Sequence, residues 1–97
     1  VTVSADPQVQ HPKLDGGDYI VLAWAEIERG WSVVLVVHEW PAARNGTLEW
    51  VTWEVNEKGD RYSGHYLIEE HGETLLTARQ DFLKRLRWVD PTRIRSL

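Results

Sequence analysis

The amino-acid sequence predicts an α+β fold, a four-stranded antiparallel β-meander with one C-terminal helix packed on one face. Two changes of pattern carry that expectation. Between Tyr19 and Leu67 apolar residues alternate with a period of two, broken at Arg29-Gly30, at Pro41 to Gly46 and at Lys58-Gly59, which is the punctuation of consecutive strands joined by turns. From Leu75 the spacing becomes three and four: Leu75, Ala78, Phe82, Leu86 and Val89 form the stripe of an amphipathic helix, and Leu76 and Leu83 widen it. The 97 residues suit one domain, and 42% hydrophobic against 27% charged residues is the balance of a chain that builds a core. A domain of this size buries somewhat over ~60% of its unfolded surface. Six Trp must therefore carry a large share of the stability.

The elements follow in order. Residues 1–17 hold two Pro and the Gly16-Gly17 pair without a sustained period, and read as an extended or disordered arm. A single domain is expected over residues 18–90, with a short tail over 91–97. The first strand presents Tyr19, Val21, Ala23, Ala25 and Ile27 on one side and Ile20, Leu22 and Trp24 on the other, the pattern of a strand covered on both faces. The second, Trp31 to Trp40, sets Val33, Leu35 and Val37 against Val34, Val36, His38 and Trp40. Pro41 ends it, and Asn45-Gly46 supplies residues that tolerate positive φ before a third strand over Leu48 to Asn56.

Taking Lys58-Gly59 as a two-residue hairpin turn pairs Val55 with Tyr62, Trp53 with Gly64 and Val51 with Tyr66 on one face. The other face then carries Asn56 with Arg61, Glu54 with Ser63, Thr52 with His65 and Trp50 with Leu67, a mostly polar set. The apolar face is the one expected to meet the helix, so Val51, Trp53, Val55, Tyr62 and Tyr66 should face Leu75, Ala78, Phe82 and Leu86. Gly64 opposite Trp53 leaves bare backbone for an indole to lie on. Asp90-Pro91 stops the helix or caps a final turn.

Several classes of function are excluded or weakened by composition. The absence of Cys removes disulfides, thiolate metal sites and thiol nucleophiles. No apolar run approaches the ~18 residues of a membrane span and the first twenty residues hold no signal-peptide core, so a soluble protein is expected. His65, Glu69, Glu70 and His71 cluster in sequence, yet residues four and six apart along a strand are separated by roughly 13–20 Å, too far to share an ion. No metal and no cofactor are expected. Ser32 and Ser63 lack a nucleophile-elbow context and no glycine-rich phosphate loop precedes the helix, so an enzyme is the least supported class.

Charge is divided along the chain. Residues 1–78 contain 13 acidic and 5 basic residues, net −8, whereas residues 79–97 contain 2 acidic and 6 basic, net +4. Arg79, Lys84, Arg85 and Arg87 are the candidate contacts of a nucleic-acid binder. They are also what the end of a helix favours through its dipole, and an acidic body repels nucleic acid. Sheet aromatics invite comparison with base-stacking platforms, against the plainer role of packing a core. The two-faced strands hold more apolar surface than one helix covers, which points to a partner or a second copy of the chain on the set Ile20, Leu22, Trp24, Val34 and Val36. Trp24, Trp40, Trp50 and His65 are the candidate binding residues.

The series Trp50-Val51-Thr52-Trp53, Gly64-His65-Tyr66, Ala78 and Asp81-Phe82 resembles a pattern in small uncharacterised actinobacteriophage proteins, over roughly Tyr19 to Leu86. The resemblance implies a phage or prophage origin in an actinobacterial host and assigns no activity to any residue. The expected function is therefore that of a phage-type accessory protein that binds a host or phage protein rather than catalysing a reaction, with a homodimer as one form of partnership. A single-stranded nucleic-acid binder is the alternative.

Overall fold

The computed structural model describes residues 14, 19–39 and 46–96. They form a five-stranded sheet and one helix: β1 (Ile20–Glu28), β2 (Trp31–Glu39), β3 (Leu48–Asn56), β4 (Arg61–Ile68), α1 (Leu75–Arg85) and β5 (Arg95–Ser96). Short 3₁₀ turns at Glu69–His71 and Pro91–Arg93 flank the helical segment. The strand order is β4-β3-β2-β1-β5 with every pairing antiparallel. The expected four-strand meander is thus present, and the tail corrects the count. Asp90 accepts from the Thr92 N–H, Pro91 opens the 3₁₀ turn, and Arg95–Ser96 then pairs with Trp24 and Ala23 as a fifth strand. The expected arm, residues 1–17, lies outside the described residues except for Leu14.

Of the register shifts at Val21/Ala23, Glu26/Glu28 and Thr52/Glu54, the first and last set the faces. Between Val21 and Ala23 the pairing of β1 with β2 shifts, from Val21 opposite Val36 to Ala23 opposite Leu35. Val21 therefore packs on one side of the sheet and Ala23 and Ala25 on the other, although an unbroken strand would place all three together. In the β3–β4 hairpin the expected pairs Trp50 with Leu67, Val51 with Tyr66 and Thr52 with His65 are present. Beyond Thr52 the register slips by one, giving Glu54 opposite Tyr62 and Val55 opposite Arg61.

The slip follows from the turn, which is longer than two residues. Asn56 accepts on its side-chain oxygen from the N–H groups of Lys58 and Asp60, both at 3.0 Å, and Gly59 takes φ 90°. A three-residue loop with a left-handed glycine results. The extra residue is absorbed at Ser63 and Gly64, where Ser63 has φ 54°.

The helix lies on the face opposite to the expected one. Trp50, with Ala23, Ala25, Val33 and Leu35, packs against Ala78, Phe82 and Leu86. Val51, Trp53 and Val55 instead join Val21, Val34 and Val36 on the far side, where Leu14, Tyr19 and Trp24 pack on them. That far face is closed: Val34, Val36 and Val51 are all 0% exposed. Of the apolar set expected to receive a second copy, Val34 and Val36 are therefore buried, Trp24 is half-buried and Ile20 is exposed, and the bulge sends Leu22 to the helix side. Near the β4 edge of the far face, Arg61 lies 4.8 Å from the Trp53 ring and 5.0 Å from that of Tyr19. His38 and Glu49 pair across β2 and β3 beside Tyr19.

Candidate functional site

The helix divides its two flanks between different tasks. At 100° per residue, Phe82, Ala78 and Leu86 point at the sheet with Leu75 in the same stripe at the helix start, Asp81 and Arg85 fall to one side of them, and Leu76, Arg79 and Leu83 to the other. The first flank meets β3 and β4, and the second overhangs β1. Thr74 caps the helix by accepting from Thr77 N–H at 3.3 Å, while the Thr77 hydroxyl accepts from Thr74 N–H at 2.8 Å.

On the polar flank, Asp81 is the centre. Thr52 Oγ1 donates to its Oδ2 at 2.7 Å, His65 Nδ1 lies 3.0 Å from both carboxylate oxygens, and Arg85 Nε is 3.9 Å from Oδ2. Arg85 Nη2 also donates to the Ser63 carbonyl, which holds the bulge residue in its left-handed conformation. Burial works to raise the Asp81 carboxyl, but the hydrogen bonds from Thr52 and His65 and the charges of His65 and Arg85 outweigh it and hold the group below its ordinary value.

His65 Nδ1 is also 3.3 Å from Arg85 Nε, and one nitrogen cannot accept there while donating to Asp81. The ionised carboxylate, with two oxygens in range, takes the protonated Nδ1, so Nε2 carries no proton in the neutral ring. A carboxylate-oriented His is a familiar part of metal and general-base sites. Among the described residues, however, no group of three or more His, Asp or Glu is placed to hold a metal ion. The cluster's groups are engaged with one another, and their work is to clasp α1 to the sheet.

The apolar flank leaves a cleft of about 200 Å³ between α1 and the β1–β5 edge. Ala23 and Leu35 line it from the sheet, Phe82 and Leu83 from the helix, and Ile94 from the segment entering β5. Arg79 and Ser96 supply polar groups at the same cleft. Leu75, Leu76 and Leu83 are exposed around or beside it, although each belongs to the apolar stripe of the helix.

The residues singled out by sequence do not converge. Trp50 is 6% exposed beneath the helix, which corrects its assignment to a docking surface. Trp24 is half-buried on the far face, Trp40 lies outside the described residues, and His65 belongs to the clasp. Of the basic set, Arg79 borders the cleft, Arg85 is turned into the clasp, and Lys84 and Arg87 are exposed. Sequence reasoning missed the cleft and missed Trp88, which is 71% exposed with the Arg87 guanidinium 4.4 Å from its ring. The signal for the cleft was the width of the stripe: Leu76 and Leu83 lie about 100° from Phe82, beyond the arc a flat sheet covers.

No helix among the described residues is long and apolar enough to cross a membrane. Comparison with protein families, curated proteins and solved structures gives no match for this chain.

Proposed function

We propose that the chain is a binding module rather than a catalyst, and that it docks on another protein through the α1–β1 side. One observation carries the reading: Leu75 and Leu83 line an apolar cleft and are exposed, as is Leu76 on the same helix, while both sheet faces hold buried clusters. Large aliphatic side chains grouped in this way are the mark of an interaction surface. The partner is a host or phage protein, in the actinobacterial setting implied by the Trp50 to Phe82 pattern.

A photo-crosslinking amino acid placed at Leu76 or Leu83 should link to a polypeptide in a host lysate, whereas the same group at Lys58, in the β3–β4 turn, should not. Crosslinks from Lys58 alone, or none from the helix, would overturn the reading.

A single-stranded nucleic-acid binder remains the second reading because of Trp88, an exposed indole beside Arg87 in a basic segment. Trp50 and Trp53 are buried and take no part in a sheet platform, whereas Tyr62 and Tyr66 on β4 are exposed. Salt-sensitive binding of an oligothymidylate, lost with Trp88→Ala, would promote it over protein docking.

A further inference from the structure

We propose that the cleft between α1 and β1 is an anchor pocket for one large apolar side chain of an acidic protein segment, with Arg79 receiving a carboxylate that neighbours this side chain. The inference rests on the protein-docking reading and names the chemistry of the partner.

Size points to a side chain rather than to a metabolite. At about 200 Å³ the cleft is smaller than the ~300–1,000 Å³ of most small-molecule pockets. It equals the volume of roughly seven waters at ~30 Å³ each, space for a Leu or Phe side chain. The pocket exists because Ala23 is small: the bulge at Leu22 turns Ala23 to the helix side, where a longer side chain would fill the space beneath Leu83.

Charge selects the segment. Among the described lining residues Arg79 is the one charged group and there is no carboxylate. Arg79 stands at the start of the stretch 79–97, net +4, whereas residues 1–78 are net −8. A basic segment is drawn to the acidic body of the molecule, whereas the basic helix side repels it and attracts an acidic one. The apolar walls supply affinity, and the guanidinium supplies selection for an anion beside the anchor.

The probe is a blocked ten-residue peptide with one Leu flanked by Glu, compared with versions in which Lys replaces Glu or Ala replaces Leu. Binding is followed by amide NMR shifts of the full chain. The acidic Leu peptide should shift Leu22, Ala23, Phe82, Leu83 and Ile94, and both altered peptides should bind at least about tenfold more weakly. Arg79→Gln should weaken the acidic peptide about tenfold, and Ala23→Leu should abolish its binding. Leu83→Glu, at an exposed position, serves as a second blocked variant should Ala23→Leu fail to fold.

Equal binding of all three peptides, shifts centred elsewhere, or no binding at millimolar peptide would overturn the pocket. If crosslinks from Leu83 reach a polypeptide while the acidic peptide fails to bind, the pocket chemistry is wrong and the docking function stands. If the peptide binds the cleft and the crosslinker captures no polypeptide, the pocket stands and the docking function fails.

Discussion

Thr52 Oγ1 donates to Asp81 Oδ2 across 2.7 Å, joining the middle of the sheet to the middle of the helix. Thr52 is 0% exposed, so its hydroxyl would be a costly orphan under an all-apolar helix. This contact, with the His65 and Arg85 contacts around it, makes the polar face of the hairpin the one that the helix covers.

The clasp depends on an ionised Asp81, whose carboxyl is held below the ordinary carboxylate range. For a depressed carboxylate the stabilisation is present above the unfolded-state pKa, about 4, and is lost as pH falls through the lower folded value. Thermal midpoints measured from pH 6 to pH 2 should therefore fall for the parent chain below about pH 4, and fall less steeply for Asp81→Asn. Parallel profiles for the two proteins would remove Asp81 from this role.

Gly64 lies under Trp53 and Tyr66. A Cβ there would stand 2.7 Å from Trp53 Nε1 and 2.7 Å from the Tyr66 hydroxyl. Tyr66 is exposed and able to move, whereas Trp53 is packed in the far-face cluster. Gly64→Ala should cost about 1–3 kcal/mol through overpacking. Urea unfolding followed by Trp fluorescence gives the value, and a cost below about 0.5 kcal/mol would show that the indole has room to shift.

Trp50 and Trp88 should behave as opposites. Trp50→Ala empties a site between β3 and the helix and should cost about 3–5 kcal/mol, a large part of a small domain's stability. Trp88→Ala should stay within about 0.5 kcal/mol because its ring is in water. Denaturant midpoints of both variants check the pair.

Thr74→Ala removes the side chain that accepts from Thr77 N–H and should cost about 1 kcal/mol. Thr74→Asp, which keeps an acceptor and adds a negative charge at the helix N-terminus, should restore that loss. Circular dichroism melts separate the two variants.

Much of the fold was legible because it rests on local periodicity. The period-two segments became strands, and the three-and-four spacing from Leu75 became a helix that ends at Arg85, with the C-cap at Leu86, short of the expected stop at Asp90-Pro91 and before Val89 is reached. What stayed hidden was the identity of the covered face. Counting apolar residues favoured Val51, Trp53 and Val55, yet Asp81 and Arg85 lie beside the helix stripe and complement Thr52, Glu54 and His65. The polar partners on the helix needed to be weighed together with those on the hairpin. The bulges at Leu22 and at Ser63-Gly64 were hidden for another reason, since each shifts parity by one residue while leaving the local composition of a strand unchanged. The width of the helix stripe signalled surplus leucines, but the place of the cleft depends on where α1 sits above β1, which no local pattern encodes.

The extra residue in β1 has a consequence for how the chain tolerates change. Tyr19 and Val21 serve one face, Ala23, Ala25 and Ile27 serve the other, and the step at Leu22 keeps the two groups in phase with β2. Deleting Leu22 itself would remove the bulge and leave Val21 opposite Val36 and Ala23 opposite Leu35, whereas gaining or losing a residue elsewhere in the strand turns one group onto the wrong side of the sheet. Exchanging one aliphatic side chain for another leaves every position where it was. Away from Leu22 the first strand is thus held more tightly to its length than to its spelling, and lineages of this chain should accumulate substitutions there long before they accept an insertion or a deletion, with loss of the bulge residue as the exception.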